Sequence, residues 1–435
     1  MIGRPDRSGP SPMLPLAYLA CATVAFLAAA IGTAWLAPEL AGHYYHPRVL
    51  ALTHTVTLGW ITLSIMGASY QLIPVVLGRS IWSERLAWWE LGVWVAGVTG
   101  MVAHFSLGSW GGLGAAAAMV AVGVAMHLVN VGLSLRGFTE WTFTARLMML
   151  AHAGLCLTAL LGVALAANHL WPVLPGAFLD RLHAHVQLAL LGWIAPMILA
   201  VAARVYPMFL LAPPPLPWTC LVQLWGIGVG VPAVVAGLLG PRGLLPLGAF
   251  AVAAAAGSHA WSVLEMARAR KRPSLDWGLR FSLTATAFIL PACVLGLGLA
   301  AGRLSGSRAA LGYAVSVLGG WISLTIAGMM LKIVPFLVWY RAYGSRAGRE
   351  RVPMVGDLSA PRLEGLAHGL LAGGMSLLTV ATLAGDAAWI RASGAILTLG
   401  ALAFAAAIAR ALGHLSPRGR TQAAPLGRAA GEPAR

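Results

Sequence analysis

Long apolar runs, broken by short polar stretches, organise this chain. Twelve such runs lie near residues 13–38, 49–77, 87–106, 112–134, 146–168, 183–211, 218–240, 244–267, 280–302, 309–339, 364–384 and 389–412. A bilayer-spanning helix needs about 20 predominantly apolar residues, so each run predicts one span. The breaks are rich in Pro, Gly, Arg and Ser, and the longest runs from Tyr340 to about Arg362. One skeleton recurs in the second, sixth and tenth runs. Gly59-Trp60-Ile61 is followed by Ile65 and Pro74, Gly192-Trp193-Ile194 by Ile198 and Pro207, and Gly320-Trp321-Ile322 by Ile326 and Pro335. Counted from each Trp, the five residues fall at the same offsets, roughly 130 residues apart. Self-similarity of that kind marks an internal repeat. The predicted fold is an all-α polytopic membrane protein of twelve transmembrane helices in three quasi-equivalent four-helix repeats. The repeats cover about 13–134, 146–267 and 280–412, with the marked helix second in each. Residues 1–12 read as a cytoplasmic N-terminal segment and 413–435 as a disordered, Arg- and Gly-rich cytoplasmic tail.

Composition agrees with that class. The chain is 59% hydrophobic and only 10% charged, against about 25% charged in soluble domains. The acidic residues lie mostly at helix ends or in loops. The net charge of +16 reflects topology rather than a nucleic-acid partner. Lys and Arg concentrate at the N-terminus, in the C-terminal tail and after even-numbered helices, as with Arg79, Arg85, Arg136, Arg146, Arg268 to Arg272 and Arg341 to Arg362. The positive-inside rule then puts both termini in the cytoplasm. Arg4 and Arg7 precede a run that reads as a first spanning helix rather than a cleaved leader. Cys21, Cys156, Cys220 and Cys293 sit in apolar runs without CxxC spacing and read as small buried hydrophobes.

In that topology helices 2, 6 and 10 run from outside to inside, and His54, His183 and His185 fall near the outer face. His54 is six residues before its Trp and His185 eight before its own. Their heights differ by about 3 Å. Neutral imidazole is a common ligand of metals and haem iron, so two at one depth could clamp a haem between helices 2 and 6. Residues two apart on a helix point about 200° apart, so His183 and His185 do not easily serve one metal. One would ligate while the other serves a second site or bonds a loop. The plainer reading is interfacial histidines bonded to water and headgroups. It also covers His43, His46, His104 and His169, which accompany Tyr44, Tyr45 and several Trp in an interfacial belt. A second group, His127, His152, His259 and His368, lies nearer the cytoplasm. His127 and His259 stand 67 and 66 residues after their repeat's Trp. These read either as helix–helix hydrogen-bonding groups or as a second site, with His152 and His259 as metal candidates beside His183.

Gln71, Arg204 and Lys332 share one offset, eleven after the Trp. They read as residues snorkelling to the interface, or as a polar ring that lines a water path or holds an anion.

Twelve helices in three sets of four, with His54 on helix 2 and the His183-Ala184-His185 pair on helix 6, resemble subunit I of the haem–copper oxidases. The cbb-type oxidases and nitric oxide reductases are the nearest variants, and the NnrS family of haem- and copper-containing membrane proteins is similar too. The resemblance covers about Met13 to His414 at the level of architecture. It implies that His54 matches the helix 2 haem ligand by position and that the His-x-His pair belongs to a cofactor site. This chain departs from the pattern: helices 7 and 10 contain no histidine, no His-Pro-Glu-Val-Tyr segment is present, and few carboxylates lie within spans. The resemblance therefore implies a reduced member holding one haem b, or a haem with copper or a second iron, rather than a complete oxygen-reducing centre.

The expected function is redox, either electron transfer or handling of a diatomic such as nitric oxide, with His54 and His185 as axial ligands. The expected setting is a bacterial inner membrane, with quinol or a c-type cytochrome as donor and other membrane subunits as partners. Two alternatives stand beside it: a non-redox transporter binding an anion at Gln71, Arg204 and Lys332, and a haem-delivery or assembly factor.

Overall fold

The computed structural model describes residues 11–416 apart from Leu170 and Val173. Most of the expected N-terminal segment (1–10) and of the expected tail (417–435) lies outside the described residues. Among the described residues, twelve helices are long and apolar enough to cross a membrane. They are helix 1 Met13–Trp35, helix 2 Pro47–Leu77, helix 3 Glu84–Leu107, helix 4 Leu113–Ser134, helix 5 Phe143–Asn168, helix 6 Phe178–Leu210, helix 7 Pro217–Leu239, helix 8 Leu244–Arg268, helix 9 Trp277–Ala300, helix 10 Gly306–Tyr343, helix 11 Pro361–Ala384 and helix 12 Ala387–Gly413. The chain is a multi-pass membrane protein, and every expected span has its helix.

The polar breaks end the helices by identifiable chemistry. Ser83, Thr142, Asp276 and Asp386 accept backbone N–H bonds from Leu86, Ala145, Leu279 and Ala388, capping helices 3, 5, 9 and 12. Gly78, Gly108 and Gly385 end helices 2, 3 and 11 in the left-handed region, where a Cβ is penalised.

The second helix of each repeat forms the centre. Helices 6 and 10 are the most enclosed, with 72% and 83% of their most apolar windows buried. Each of the three central helices contains a π-helical segment: Thr55–Thr62, Leu188–Ile194 and Val315–Ser323. Each segment contains its Gly-Trp-Ile, so the threefold pattern extends to an irregularity of the backbone. The glycine of each triplet meets the first helix of its own repeat. A Cβ there would lie 2.9 Å from Ala25 Cβ at Gly59 and 2.1 Å from the Phe288 ring at Gly320, and one on Gly154 would lie 2.0 Å from the Gly192 carbonyl. Between membrane helices, small residues of this kind let backbones approach and gain dispersion contact.

The three Trp side chains lie inside, at 0%, 1% and 5% exposure. Each reaches back towards the preceding repeat. Trp60 Nε1 donates to Ser323 Oγ at 3.0 Å, and Trp193 Nε1 donates to Thr62 Oγ1 at 3.2 Å. Thr62 and Ser323 each stand two residues after a repeat Trp. The corresponding residue of the second repeat is Ala195, which has no hydroxyl. Trp321, whose ring lies 6.0 Å from His259 of that repeat, has its Nε1 buried without a partner among the described residues. The hydrogen-bond cycle around the pseudo-threefold axis is thus closed twice and open once.

Candidate functional site

Helices 2 to 6 line an apolar cavity of about 140 Å³, at the end of the bundle where helices 2 and 6 begin. His54 and His185 both line it, His54 from helix 2 and His185 from helix 6. His54 is the residue before the first π segment, and His185 lies three residues before the second. Such bulges often occur at functional sites because they re-aim neighbouring side chains.

Each imidazole is oriented by its own surroundings. His54 Nδ1 lies 2.7 Å from the Leu50 carbonyl, which assigns the proton to Nδ1 and leaves Nε2 with its lone pair. Its ring stacks on Phe105 at 4.9 Å. The His185 ring rests on helix 5, where Gly162 makes room: a Cβ at that position would lie 2.9 Å from His185 Cε1. His185 Nδ1 is buried, and the Thr158 carbonyl of helix 5 faces the ring. A carbonyl beside one nitrogen of an imidazole leaves the other nitrogen able to ligate.

An aromatic ring of side chains forms the mouth. His169 stacks on Trp110 at 4.4 Å, and its Nε2 lies 3.3 Å from the Tyr45 hydroxyl. Phe178 packs against both His169 and Tyr45. Burial among these rings holds the His169 pKa below its usual value and the Tyr45 pKa above its own.

The pseudo-threefold axis shows what is particular to this sector. His54 stands six before its Trp and His185 eight before the next one. The equivalent pair one step round is Gln187 and Tyr313, and the Tyr313 hydroxyl donates directly to Gln187 Oε1 at 3.2 Å. The third pair is Val315 and Leu52. One sector is closed by a hydrogen bond, one is apolar, and one carries two imidazoles beside a cavity.

The other sequence candidates fall elsewhere. His183 turns from the cavity and lies 3.0 Å from the Tyr44 hydroxyl, in the connection between helices 1 and 2. His259 packs beside Trp321. Lys332 is paired with Asp276 at 2.5 Å and sits over the Phe209 ring, while Arg204 is exposed and Gln71 half-buried. No hydrogen bond joins these three among the described residues.

A second polar cluster, farther along the same helices, centres on a residue the sequence reading passed over. Glu90 of helix 3 is fully buried. It accepts from the Tyr70 hydroxyl and lies 3.2 Å from His127 Nδ1. The Tyr18 hydroxyl, with one proton to give, lies 2.9 Å from Glu90 Oε1 and 2.7 Å from the Ala87 carbonyl. The His127 ring lies nearly parallel to that of His152, 12° between planes and 5.5 Å between centroids. Trp193 lines the cavity and meets His152 edge-on at 5.5 Å, so one indole separates the two regions.

No family model matches this chain, and no curated protein matches it in sequence. Among solved structures, it is similar to a haem–copper terminal oxidase dimer determined by cryo-electron microscopy. The TM-score is 0.67 at 12% identity, over 93% of this chain and 84% of that one. At that identity the likeness is one of fold. The chain has the subunit I-like helical architecture, and the ligand question rests on its own residues.

Proposed function

We propose that this chain binds one haem b at the cavity between helices 2 and 6, with His54 and His185 as the residues that would hold its iron, and that it serves a redox role in the membrane. The observation that carries this reading is the pair of imidazoles on one apolar cavity, His185 set against helix 5 beside the Thr158 carbonyl and His54 with Nε2 left free by its bond to Leu50. The Leu50 carbonyl would fix the His54 ring and raise its basicity, as carbonyl partners do for metal-bound imidazoles. Gly162 gives the His185 ring its place. The apolar walls exclude water and lower the local dielectric. Tyr45 and His169 at the mouth are the groups able to meet a cofactor's carboxylates. His183, tied to Tyr44, acts as an anchor for the start of helix 6.

Bound there, the haem group would supply single-electron exchange or a binding position for a small diatomic, with His54 and His185 as the residues that hold it. Two ligands therefore favour electron transfer, with quinol or a c-type cytochrome as donor, and nitric oxide handling requires one of them to leave. Helices 7 and 10 contain no histidine, so this chain lacks the ligands for a complete oxygen-reducing pair of metals. A bacterial inner membrane, with both termini cytoplasmic and other membrane subunits as partners, fits the charge distribution and the fold likeness. The transporter alternative gains no support from Lys332, which is neutralised by Asp276, or from Arg204, which faces outward.

The test is spectroscopic. Detergent-purified protein from haem-replete cells should show a Soret band and a low-spin reduced-minus-oxidised spectrum at one haem per chain. His54→Ala and His185→Ala should each abolish the low-spin signature. Colourless protein, or spectra unchanged in both variants, would refute the assignment.

A further inference from the structure

We infer that the far end of helix 10 and the connection after it form a binding surface for anionic phospholipid, independently of the haem reading. The three repeats show that this end is built differently. Helices 2 and 6 stop three residues after the shared prolines Pro74 and Pro207, at Leu77 and Leu210. Both end in apolar residues, Val75-Val76-Leu77 and Met208-Phe209-Leu210, which places their ends at the hydrocarbon edge. The next residues, Gly78 and Leu211, turn into the left-handed region at φ 63° and 52°. Their counterpart in the third repeat is Trp339, where the helix instead continues to Tyr343. Helix 10 thus overruns the other two by five residues, about 7.5 Å along its axis. A bilayer of about 40–45 Å contains about 30 Å of hydrocarbon, so each headgroup layer is about 5–8 Å deep. The overrun spans one such layer, at the end of the bundle away from the haem cavity. It is fixed in place from two sides. Tyr343 is buried with its hydroxyl 3.0 Å from His414 Nδ1 at the end of helix 12, and Trp339 Nε1 donates to the Pro353 carbonyl at 2.6 Å.

Exposed rings and unmatched charge select the ligand. Helix 10 is the most enclosed helix, yet Phe336 and Tyr340 stand 47% and 46% exposed, with their rings stacked at 6.4 Å. Aromatic side chains at that depth mark a membrane interface. Arg341, Arg349 and Arg351 follow, all exposed and without an ion pair among the described residues. The nearby carboxylates are already engaged. Glu350 pairs with Arg346 at 2.6 Å, Asp357 accepts from the Met354 N–H, and buried Glu364 accepts from the Ala360 N–H. Three guanidinium groups are left to be neutralised from outside. Their planar donor forks match the oxygens of a phosphate. A zwitterionic headgroup brings its own cation and cancels nothing, so the charge balance calls for an anionic one. The other dense basic run is occupied differently. Arg270 and Arg272 are turned to the Ala267 and Phe209 carbonyls, and Arg272 also pairs with Asp276.

The experiment places full-length protein in nanodiscs of phosphatidylcholine, alone or with phosphatidylglycerol, and reads hydrogen–deuterium exchange along the chain. Phosphatidylglycerol should slow exchange over residues 341–354 by about tenfold or more, each arginine contributing about fivefold in attachment. Replacing all three arginines (Arg341→Gln, Arg349→Gln and Arg351→Gln) should remove that protection and leave exchange in the spans unchanged. Arg268→Gln with Lys271→Gln should leave the protection in place, which separates this surface from a general response to charge. Inorganic phosphate added to phosphatidylcholine nanodiscs should not reproduce it. Equal exchange in the two lipids would overturn the inference and leave the arginines to a soluble acidic partner. Protection that survives in the triple variant would overturn it too. So would equal protection by inorganic phosphate, which would make this a site for a soluble anion. The wild-type comparison decides the matter even where the triple variant fails to fold. None of these readings depends on haem content, so a colourless preparation would sink the haem reading and leave this surface standing.

Discussion

Ala195→Ser should close the open third of the tryptophan hydrogen-bond cycle and stabilise the protein. The indole of Trp321 is buried with its Nε1 unpartnered, whereas Trp60 and Trp193 donate to the hydroxyls two residues after a repeat Trp. Position 195 is the third such site. Its backbone is helical, with φ −59° and ψ −52°, which serine adopts without strain. The new hydroxyl has its own proton to place, and Ser323 shows how: it donates to the Leu318 carbonyl five residues back while accepting from Trp60. The equivalent acceptor for Ser at 195 is the Leu190 carbonyl. A net hydrogen bond contributes about 0.5–1.5 kcal/mol, and an unpaired buried donor costs about 1–3 kcal/mol. Burying the added hydroxyl offsets part of that, leaving a gain of about 1 kcal/mol. A 150–250-residue domain gains about 2–4 °C per kcal/mol, and the shift shrinks with size, so an apparent Tm rise of about 1–2 °C is expected here. Thermal unfolding in detergent measures it. Nuclear magnetic resonance of ¹⁵N-labelled tryptophan, with Trp321 assigned through Trp321→Phe, should show a downfield shift of that indole proton alone. In the opposite direction, Thr62→Val should strand Trp193 Nε1 and cost about 1–3 kcal/mol. If Ala195→Ser leaves both the Tm and the Trp321 resonance unmoved, the equivalence drawn around the axis is wrong.

Two further outcomes follow from the site. Gly162→Val should drive the His185 ring out of place, since even a first added carbon lies 2.9 Å from Cε1. The expected result is a shift from low-spin to high-spin haem, or haem loss, with the elution profile unchanged; an unaltered low-spin spectrum would speak against His185 as a ligand. Glu90→Ala should strip the Tyr70 hydroxyl and His127 Nδ1 of their common acceptor and destabilise by about 3 kcal/mol or more, whereas Glu90→Gln should cost less because it keeps an acceptor in place. Equal melting temperatures for the two variants would show that the network contributes no stability.

The twelve spans were legible because hydropathy reports bilayer crossing directly, and the repeat was legible because five residues kept their identities and offsets across it. The opposed directions of His183 and His185 also followed from helical spacing alone. Other features were tertiary. Glu90 sits six residues after Glu84 at the start of its span and reads as part of a polar helix end, until Tyr18 and Tyr70 are seen to close over it from helices 1 and 2. Nothing in the local sequence joins His127 to His152, which meet only because helices 4 and 5 pack side by side. The π segments had no signal beyond the Gly-Trp-Ile triplets they contain. One clue was present and unused: the hydroxyl two after the Trp, at Thr62 and Ser323 but not at Ala195, could have been read from the same alignment of repeats.

That alignment also explains how a fold can persist while its chemistry moves. The elements that hold the three repeats together, the glycines against the first helices and the indoles against the preceding repeat, lie within and after the π segments. The positions that differ in chemistry, six and eight residues before each Trp, lie ahead of these segments or, at Val315, on the first residue of one. A change from His54 and His185 to Gln187 and Tyr313, or to Val315 and Leu52, therefore leaves the packed centre untouched. Shared architecture at 12% identity follows when the structural and ligand positions are separated along each helix in this way, because each set can vary without destabilising the other. By the same reasoning, likeness of fold carries no information on which sector would hold a cofactor; in this chain the proposal rests on the imidazoles and the cavity they face.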